Sequence, residues 1–485
     1  MDFAYSDKVK AQQEQLTQFM EREIAPRDRE WHELTEAGTF PPPFCADIKA
    51  KAKAEGLWNM FLPSLPEDMP GTRCTNLEYA PLAEIMGRIY WSAEMFNCNA
   101  PDTGNMEVFH MFGTPEQKEQ YLTPLLNGEI RSAFCMTEPE VASSDATNVQ
   151  TRIERDGNEY VINGRKWFIT NASHPNLGVM IVMGKTDPSA EVHRQQSQII
   201  VPPDTPGVKI VRNIPVMHHI SPEGHCEVVF DNVRVPASNL LAEEGDGFMI
   251  AQARLGPGRI HHCMRTIGQC EVALSLMLDR GLNRTTFGKR TIDHDNVREQ
   301  VALSRIEIDQ ARLLCLQTAW LIDQHGNRAA RNAVSAIKVV AARLQTTVTN
   351  RAMQVFGAMG LTPGTPISYL WTWGRALQFI DGPDEVHLRG IARSVVRTHE
   401  KEGMPPAMPH SFKQSADLGL CNRRGNASQP GWHSSIPIYL LSRYAMEVRR
   451  RVFQPVAAFS GPPVRSVVPP ALLLGGADCP VRIDE

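Results

Sequence analysis

Long apolar runs are absent from this chain of 485 residues, so no segment approaches the roughly 20 apolar residues that a membrane-spanning helix requires. Targeting features are missing too, because the N-terminus begins with a charged helical pattern rather than an apolar signal-peptide core or an Arg-rich presequence. We therefore expect an intracellular protein without a transmembrane segment. The sequence does not distinguish among cytoplasm, mitochondrion and peroxisome, although a eukaryotic source would favour the mitochondrion.

An excess of charge of one sign is also absent. The 50 Lys and Arg residues against 54 Asp and Glu give a net charge of −4, so there is no reason to expect nucleic acid as a partner. The ten cysteines lack CxxC spacing, and we expect buried, reduced thiols rather than zinc ligands or disulfides. We expect no metal at the adjacent His261 and His262, because neighbouring helical side chains diverge by about 100°.

Four segments with different patterns make up the chain. They are a helical domain (1–130), a β domain (131–240), a helical bundle (241–402) and a weakly ordered tail (403–485). In the first segment Thr114-Pro115 carries the N-cap and first-turn signals of a helix. In the third, long apolar stripes run over 267–282, 297–324 and 329–357.

The β domain shows the clearest local signal. Two extended runs flank Asn163-Gly164, a dipeptide typical of tight hairpin turns. Further short apolar runs follow at 178–184, 198–201, 208–211 and 227–230. Turn residues separate these runs, so we expect a compact sandwich or barrel. With helices before and after it, the predicted fold class is α+β.

A short acidic turn around Asp381 stands between the last two helical patterns. Gly382 and Pro383 end the first of these helices, since glycine is entropically unfavourable in a helix and proline lacks the N–H. Asp381 is thus placed at a break between rigid elements, which is a common position for a catalytic carboxylate. The turn alone is also compatible with an ordinary Asp-Gly-Pro turn that caps the next helix.

Several motifs, taken in order, resemble those of the acyl-CoA dehydrogenase family. They are Thr137-Glu138-Pro139 with Ser143-Ser144-Asp145, the stretch from Asn163 to Asn171, and the Asp381-Gly382 turn. The resemblance covers residues 1 to 402 and is greatest for the dehydrogenase domain of family members ten and eleven. It implies an N-terminal helical domain, a central β-barrel or sandwich, and a C-terminal four-helix bundle.

The resemblance implies FAD as the cofactor. In the family the loop and the β-hairpin hold the flavin ring, which assigns flavin contacts to Thr137, Ser144, Phe168 and Thr170. Phe168 stands where tryptophan is usual, so an indole N–H cannot come from that position. Two further segments bind FAD across a subunit interface in the family, and here they supply Arg284, Phe287, Gln354 and Gly357. A homodimer or homotetramer is therefore implied.

The implied reaction is α,β-dehydrogenation of acyl-CoA thioesters, as in fatty acid β-oxidation, with an electron-transferring flavoprotein as partner. Asp381 stands where most members carry a catalytic glutamate, and it would remove the α-proton while hydride passes from the β-carbon to the flavin. Arg259 and Ser144 are the implied substrate contacts near the thioester. A second family position for the base is glycine here, at Gly258, so that alternative base is absent.

Two other functions stay open at this point. Aspartate is also the base in the related nitroalkane oxidase, so a flavin oxidase acting on nitroalkanes or acyl-CoA, with oxygen as acceptor, is one alternative. A non-catalytic paralogue or isoform that serves as a binding subunit is the other. Acyl chain length, branching and hydroxylation are set by ordinary apolar helix residues, and the sequence does not select among them.

Overall fold

The computed structural model describes residues 4–403, without the side chain of Pro257. The helices before the sheet are α1 (Asp7–Phe19), α2 (Asp28–Glu36), α3 (Phe44–Ala54), α4 (Asn76–Gly87), α5 (Ser92–Met95), α6 (Asp102–Phe112), α7 (Pro115–Gln117) and α8 (Thr123–Asn127). Short π and 3-10 turns join α1 to α2 around Pro26, which has no N–H to continue a regular helix. The predicted N-cap Thr114 forms a capping box with Gln117.

The middle of the chain forms one seven-stranded mixed sheet. Its strands are β1 (Arg131–Cys135), β2 (Arg152–Asp156), β3 (Glu159–Thr170), β4 (Leu177–Lys185), β5 (Gln196–Val201), β6 (Val208–Asn213) and β7 (His225–Pro236). The strand order is β1-β4-β2-β3-β7-β6, with β5 also paired to β4. Inward-facing apolar side chains, such as Ile162 and Val228, give this sheet a core of its own.

Helices return after the sheet. They are α9 (Gly247–Asn283), α10 (Asp295–Phe356), α11 (Ile367–Leu377) and α12 (Asp384–Glu402), with a small hairpin of β8 (Thr285–Thr286) and β9 (Lys289–Arg290) after α9. The long α10 is broken at Gly326, where φ is +76° and the backbone is not helical. One apolar core joins these helices to those before the sheet. The α+β fold class with helical, sheet and helical regions is confirmed, while the domain limits at 130 and 240 stay predictions.

α4 and α9 approach each other closely at two glycines. A Cβ added to Gly268 would lie 1.9 Å from the Glu84 carbonyl oxygen, and one added to Gly87 would lie 2.1 Å from the Arg265 carbonyl oxygen. Side chains at either position would force the helices apart, because packed interiors have no free volume to absorb them. This contact fixes the position of the α9 segment that faces the Asp381 turn.

The predicted hairpin turn at Asn163-Gly164 is wrong. Both residues lie inside the continuous strand β3, and the turn between β2 and β3 uses Gly157 instead, with φ at +62°. Gly164 lies where the pairing with β7 shifts register, and a Cβ there would be 2.3 Å from Thr151 Oγ1. The glycine is therefore needed for close approach at a bulge. The Asn163 side chain accepts a hydrogen bond from the Asn232 N–H.

The cysteines of the described residues are buried and form no disulfide, as predicted. Burial raises the pKa of the Cys45, Cys98, Cys135 and Cys263 thiols to about 12. Within residues 4–403 no helix combines the length and the apolar character needed to cross a membrane. The predicted tail, beyond Gly403, lies outside the described residues.

Candidate active site

The turn between α11 and α12 holds Asp381 in a left-handed backbone conformation. The φ angle is +56° at Asp381 and +104° at Gly382, and Pro383 then precedes α12. Such a conformation is uncommon for a residue with a Cβ and persists only where the surroundings impose it. Arg259 is one restraint, because its Nε donates a hydrogen bond of 2.8 Å to the Asp381 carbonyl oxygen. The Asp381 N–H donates to no described residue.

One face of α9 lies against the Asp381 carboxylate. Asp381 Oδ2 is 3.7 Å from His262 Nε2, and a Cβ added to Gly258 would be 3.9 Å from the same oxygen. Arg254, Gly258 and His262 follow one another at intervals of four residues and so share this face. The absent side chain at Gly258 leaves space beside the carboxylate, whose side chain keeps 19% of its surface exposed.

Positive charge keeps Asp381 ionised. Burial acts to raise the pKa of the carboxyl group, but nearby charges outweigh burial and hold that pKa below its usual value. The side chains responsible are, in order of effect, His262, Arg254, Arg259 and Lys338. Burial also lowers the pKa of His262 to about 4, so its imidazole is neutral near pH 7. At that pH the two arginines and the lysine therefore stabilise the carboxylate.

The loop that follows β1 is tied to β3 by a buried ion pair. Lys166 Nζ donates to Glu138 Oε1 at 2.8 Å and to the Met136 carbonyl oxygen at 2.9 Å. The side chains of both charged partners are at most 1% exposed. Glu138 also accepts a hydrogen bond from the Thr151 N–H. Pairing and hydrogen bonding offset the cost of burying both charges, and the pair positions the loop that carries Thr137.

Three predicted flavin contacts, Thr137, Phe168 and Thr170, lie together at the end of β3. The Trp167 N–H donates a hydrogen bond of 3.0 Å to the Thr137 carbonyl oxygen, which brings the loop beside the strand. Phe168 has a φ of +54°, which is unusual for a bulky side chain, and 44% of its surface is exposed. Thr170 Oγ1 is 3.1 Å from His225 Nδ1. The end of β3 thus carries an exposed aromatic ring and a threonine hydroxyl, with the Thr137 loop hydrogen-bonded alongside.

Arg254 connects this group with the Asp381 turn. Its guanidinium lies 4.1 Å from the centre of the Phe134 ring, three residues before Thr137. Its Nε donates to Asn105 Oδ1 at 2.9 Å, which fixes the side chain. The same guanidinium is one of the charges that lower the pKa of Asp381. The carboxylate and strand β1, which leads into the loop with Thr137, thus share a cationic neighbour.

Ser144 lies on the outer part of the same loop and is exposed, with its hydroxyl bonded to no described residue. The adjoining Asp145 has a lowered pKa, mainly because the Thr147 hydroxyl donates to its carboxylate. The charge of Arg389 on α12 contributes to this lowering. Arg389 is therefore near enough to this part of the loop for its charge to act on Asp145.

Four predicted cofactor contacts form a separate group: Arg284, Phe287, Gln354 and Gly357. Phe287 is at the tip of the β8–β9 hairpin and is 100% exposed. The Arg280 guanidinium lies 5.4 Å from the centre of the Phe356 ring, which brings this hairpin close to the end of α10. From Gly258 to the end of α9 the unbroken helix runs for about 38 Å. Within one chain, Arg284 and Phe287 are therefore remote from Asp381.

Three residues around Asp381 have no role predicted from the sequence: Arg254, His262 and Lys338. The first two do carry a signal, because their four-residue spacing about Gly258 places them on the face of the family's alternative base position. Lys338 carries none: it lies on α10, is fully buried, and donates to the Leu377 carbonyl oxygen at the end of α11. Its proximity to Asp381 follows from bundle packing alone.

Sequence models of the acyl-CoA dehydrogenase N-terminal, middle and C-terminal domains match residues 6–129, 133–233 and 245–396. A probable acyl-CoA dehydrogenase of Mycobacterium tuberculosis, FadE2, is 53% identical over 402 residues, which are 81% of this chain and 97% of that protein. Acyl-CoA dehydrogenase family member 11 of Gallus gallus is 50% identical over 387 residues, covering 78% of this chain and 49% of that protein.

Solved structures show the same similarity. An acyl-CoA dehydrogenase-like structure from Mycobacterium abscessus superposes with a TM-score of 0.79 at 48% identity, covering 82% of this chain and 100% of that chain. The present chain thus spans almost all of the first mycobacterial relative, but only about half of the Gallus gallus protein.

Proposed function

Since this chain belongs to the acyl-CoA dehydrogenase family, we propose that it dehydrogenates acyl-CoA thioesters between Cα and Cβ, with FAD as cofactor and Asp381 as base. One observation carries the proposal. The Asp381 carboxylate is held in a left-handed turn, stabilised by cations, and bordered by the space at Gly258. A partly buried carboxylate kept ionised beside open space is arranged to accept a proton from a bound molecule.

The residues at the end of β3 fit a flavin. Phe168 offers an exposed aromatic face, and the Thr137 hydroxyl bonds no described residue. A planar, apolar ring with polar edges requires this combination of surfaces. Thr137, Phe168 and Thr170 would hold the ring, and Ser144 would add a contact from the outer loop. When bound, FAD supplies the acceptor of the two electrons released by the substrate.

The remote group supports an assembly in which neighbouring subunits complete each other's sites. Arg284 and Gln354 are both exposed, and Arg284 directly follows α9, which runs for about 38 Å from Gly258 beside Asp381 to its end. This length separates Arg284 from the Asp381 turn of its own chain. The exposed Phe287 beside them is typical of a side chain that a partner covers. We therefore assign Arg284, Phe287, Gln354 and Gly357 to the FAD of a neighbouring subunit in a homodimer or homotetramer.

Asp381 performs the proton transfer. Because its pKa lies below the usual value, the side chain is a carboxylate before the substrate arrives and can accept the α-proton directly. Aspartate is shorter by one C–C bond, about 1.5 Å, than the glutamate usual in the family. Gly258 compensates in part, since the space it leaves lets the acyl chain approach the shorter carboxylate.

Two donors near the base are suited to stabilise the enolate-like charge on the thioester oxygen. The Asp381 N–H has no partner among the described residues, and a backbone donor aimed at a developing oxyanion strongly lowers the barrier. Arg259 Nε donates to the Asp381 carbonyl oxygen, while the two terminal nitrogens of the guanidinium bond no described residue. These nitrogens are the proposed contact with the thioester end of the substrate.

The direct test replaces Asp381 with Asn, which removes the base and keeps the shape. We expect the rate of flavin bleaching by acyl-CoA under anaerobic conditions to fall by roughly 10²–10⁴, because a positioned base contributes that much. FAD content should be unchanged. Asp384→Asn is the matched control, since Asp384 lies three residues away but pairs with Arg343 at 2.8 Å. Equal bleaching by the Asp381 variant would show that another group is the base.

The same preparation distinguishes the open alternatives. A panel of acyl-CoA thioesters and nitroalkanes, assayed with oxygen and with an electron-transferring flavoprotein, identifies both substrate and acceptor. We expect acyl-CoA to bleach the flavin and the flavoprotein to reoxidise it. Hydrogen peroxide formed at the rate of substrate oxidation would instead indicate an oxidase. A protein that takes up no FAD would be a binding subunit, and the proposal would be wrong.

A further inference from the structure

His225, at the start of β7, lies directly opposite Thr170 in the β3–β7 ladder. Its Nδ1 is 3.1 Å from Thr170 Oγ1, so the two side chains share a hydrogen bond. The His225 backbone is itself held, because its N–H donates to Asn213 Oδ1 at 2.8 Å. The imidazole is thus fixed behind the hydroxyl of a proposed flavin contact.

Burial decides the protonation state of this imidazole. His225 is 9% exposed, and burial lowers its pKa to about 4. Near pH 7 the ring therefore carries one proton, on either Nδ1 or Nε2. If Nδ1 carries the proton, it donates to Thr170 Oγ1. If Nε2 carries it, Nδ1 can only accept, and the Thr170 O–H must donate to Nδ1.

The surroundings of Nε2 favour the proton on Nδ1. His225 Nε2 is buried and has no hydrogen-bond partner among the described residues. A proton on Nε2 would therefore be a buried N–H without an acceptor, which is rarer in proteins than an acceptor without a donor. On Nδ1 the proton has Thr170 Oγ1 as its acceptor at 3.1 Å.

We propose that His225 is a positioning residue for the cofactor. By donating from Nδ1 to Thr170 Oγ1, it fixes the rotor of the hydroxyl and leaves the Thr170 O–H free to donate to the flavin. This inference rests on the proposed function, because the contact between Thr170 and FAD is part of that proposal. Without His225 the hydroxyl is free to rotate, and its bond to the cofactor is weakened.

The test measures FAD affinity of the apoprotein in four variants: His225→Leu, His225→Asn, Thr170→Val and the double variant His225→Leu/Thr170→Val. Loss of one oriented hydrogen bond corresponds to roughly a tenfold rise in Kd for His225→Leu. Asn places an amide N–H near the position of Nδ1, so His225→Asn should stay within about twofold of the wild type. In the Thr170→Val background, His225→Leu should have little further effect, because the hydroxyl through which it acts is gone.

Two more readouts separate positioning from simple packing. The flavin absorption bands should move in His225→Leu and Thr170→Val but not in His225→Asn, since a lost hydrogen bond changes the ring's surroundings. His174→Leu is the matched control: its ring is also buried with a pKa of about 4, but its Nδ1 bonds the Asn176 N–H. That variant should lose stability without any change in FAD affinity or spectrum.

If His225→Leu does not fold, His225→Asn and His225→Gln decide the question, because Gln places its amide near Nε2 instead. Asn should resemble the wild type, and Gln should bind FAD roughly tenfold more weakly. Equal affinity of these variants and the wild type, or an undiminished effect of His225→Leu in the Thr170→Val background, would overturn the inference while leaving the proposed function intact. Failure of the wild type to bind FAD would overturn both.

Discussion

The buried guanidinium of Arg254 is one of the groups that make the proposed base more acidic. Arg254→Gln keeps the side chain polar and similar in size but removes a charge that lowers the pKa of Asp381. Activity requires the carboxylate, so it is lost as pH falls through that pKa. Because the pKa is depressed in the wild type, this loss occurs at low pH, and removing Arg254 should move it to higher pH. The pH dependence of anaerobic flavin reduction measures the shift.

Arg254→Lys is the matched comparison for this variant. Because lysine retains the charge, the loss of activity at low pH should occur close to its original pH. Arg234→Gln removes an exposed charge on the sheet that pairs with Asp156 and Glu159. This variant should leave the pH dependence of flavin reduction unchanged. If the pH at which activity is lost does not change in Arg254→Gln, Arg254 does not act on the group that titrates.

Residue roles could be predicted only where local sequence restricts them. Asp381 stands out because Gly382 and Pro383 must break the helix beside it. Its charged neighbours could not be predicted in the same way, because Arg254 and Lys338 come from helices distant in sequence and only packing of the bundle brings them to the turn. The FAD and base assignments themselves remain predictions until Asp381 and Thr170 variants are measured.

At the level of elements, the close contact of α4 with α9 makes a strong prediction. Gly268→Ala would place a Cβ 1.9 Å from the Glu84 carbonyl oxygen, so the helices must separate. We expect the free energy of unfolding to fall by roughly 1–3 kcal/mol, the usual cost of overpacking. Urea unfolding followed by circular dichroism measures this loss. Displacement of α9 should also slow flavin reduction, because α9 carries Gly258 and His262 beside the base.

Gly390→Ala is the control for that variant. Gly390 lies in α12, is exposed, and has no heavy atom within 4 Å of an added Cβ. Alanine there should raise stability by up to about 1 kcal/mol, since glycine is a poor helix former. Equal destabilisation by the two substitutions would mean that helix propensity rather than interhelical distance decides the outcome.

Helices and strands were predicted correctly where the periodicity of apolar residues was strong. The prediction failed where it rested on a single dipeptide. The cap at Thr114 and the long stripe within α9 follow from local patterns and are present. Asn163-Gly164 has the composition of a hairpin turn, but the chain uses it as a bulge because Thr151 lies against Gly164. A tertiary contact of this kind leaves no trace in the flanking residues, so the wrong turn could not be recognised from the sequence.

For the whole molecule, the separation of the two residue groups predicts complementation between subunits. Asp381→Asn and Arg284→Gln should each be poorly active as pure proteins. When the two chains are mixed by coexpression, one site of each mixed dimer should contain both intact residues. Activity should return to about a quarter of the wild-type value, because half of randomly assembled dimers are mixed and each has one intact site of two.

The control for complementation is coexpression of Asp381→Asn with Asp381→Asn/Arg284→Gln, in which no site has an intact base. Activity of that mixture should stay at the level of Asp381→Asn alone. If the first mixture shows no recovery while each chain still assembles, Arg284 serves the site of its own chain. The assignment across subunits would then be wrong, although the assignment of Asp381 would stand.

The order of helical, sheet and helical regions could be predicted from the changing period of the apolar residues along the chain. The distance between the Asp381 turn and Arg284 could not be predicted in this way. It depends on α9 continuing without a break through Gly256, Gly258 and Gly268, three residues that disfavour helix. Close packing keeps the helix continuous there, since Gly268 is the position that lets α4 approach. Propensity alone would have suggested a shorter helix.

The buried thiols have a practical consequence. Alkylating reagents attack the thiolate, and the thiols of Cys98, Cys135 and Cys263 are both inaccessible and far from ionisation at neutral pH. Iodoacetamide therefore modifies them only in molecules that have opened. Since Cys135 reports on the sheet and Cys98 and Cys263 on the helical core, peptide mass spectrometry of a labelling time course would reveal which region opens first.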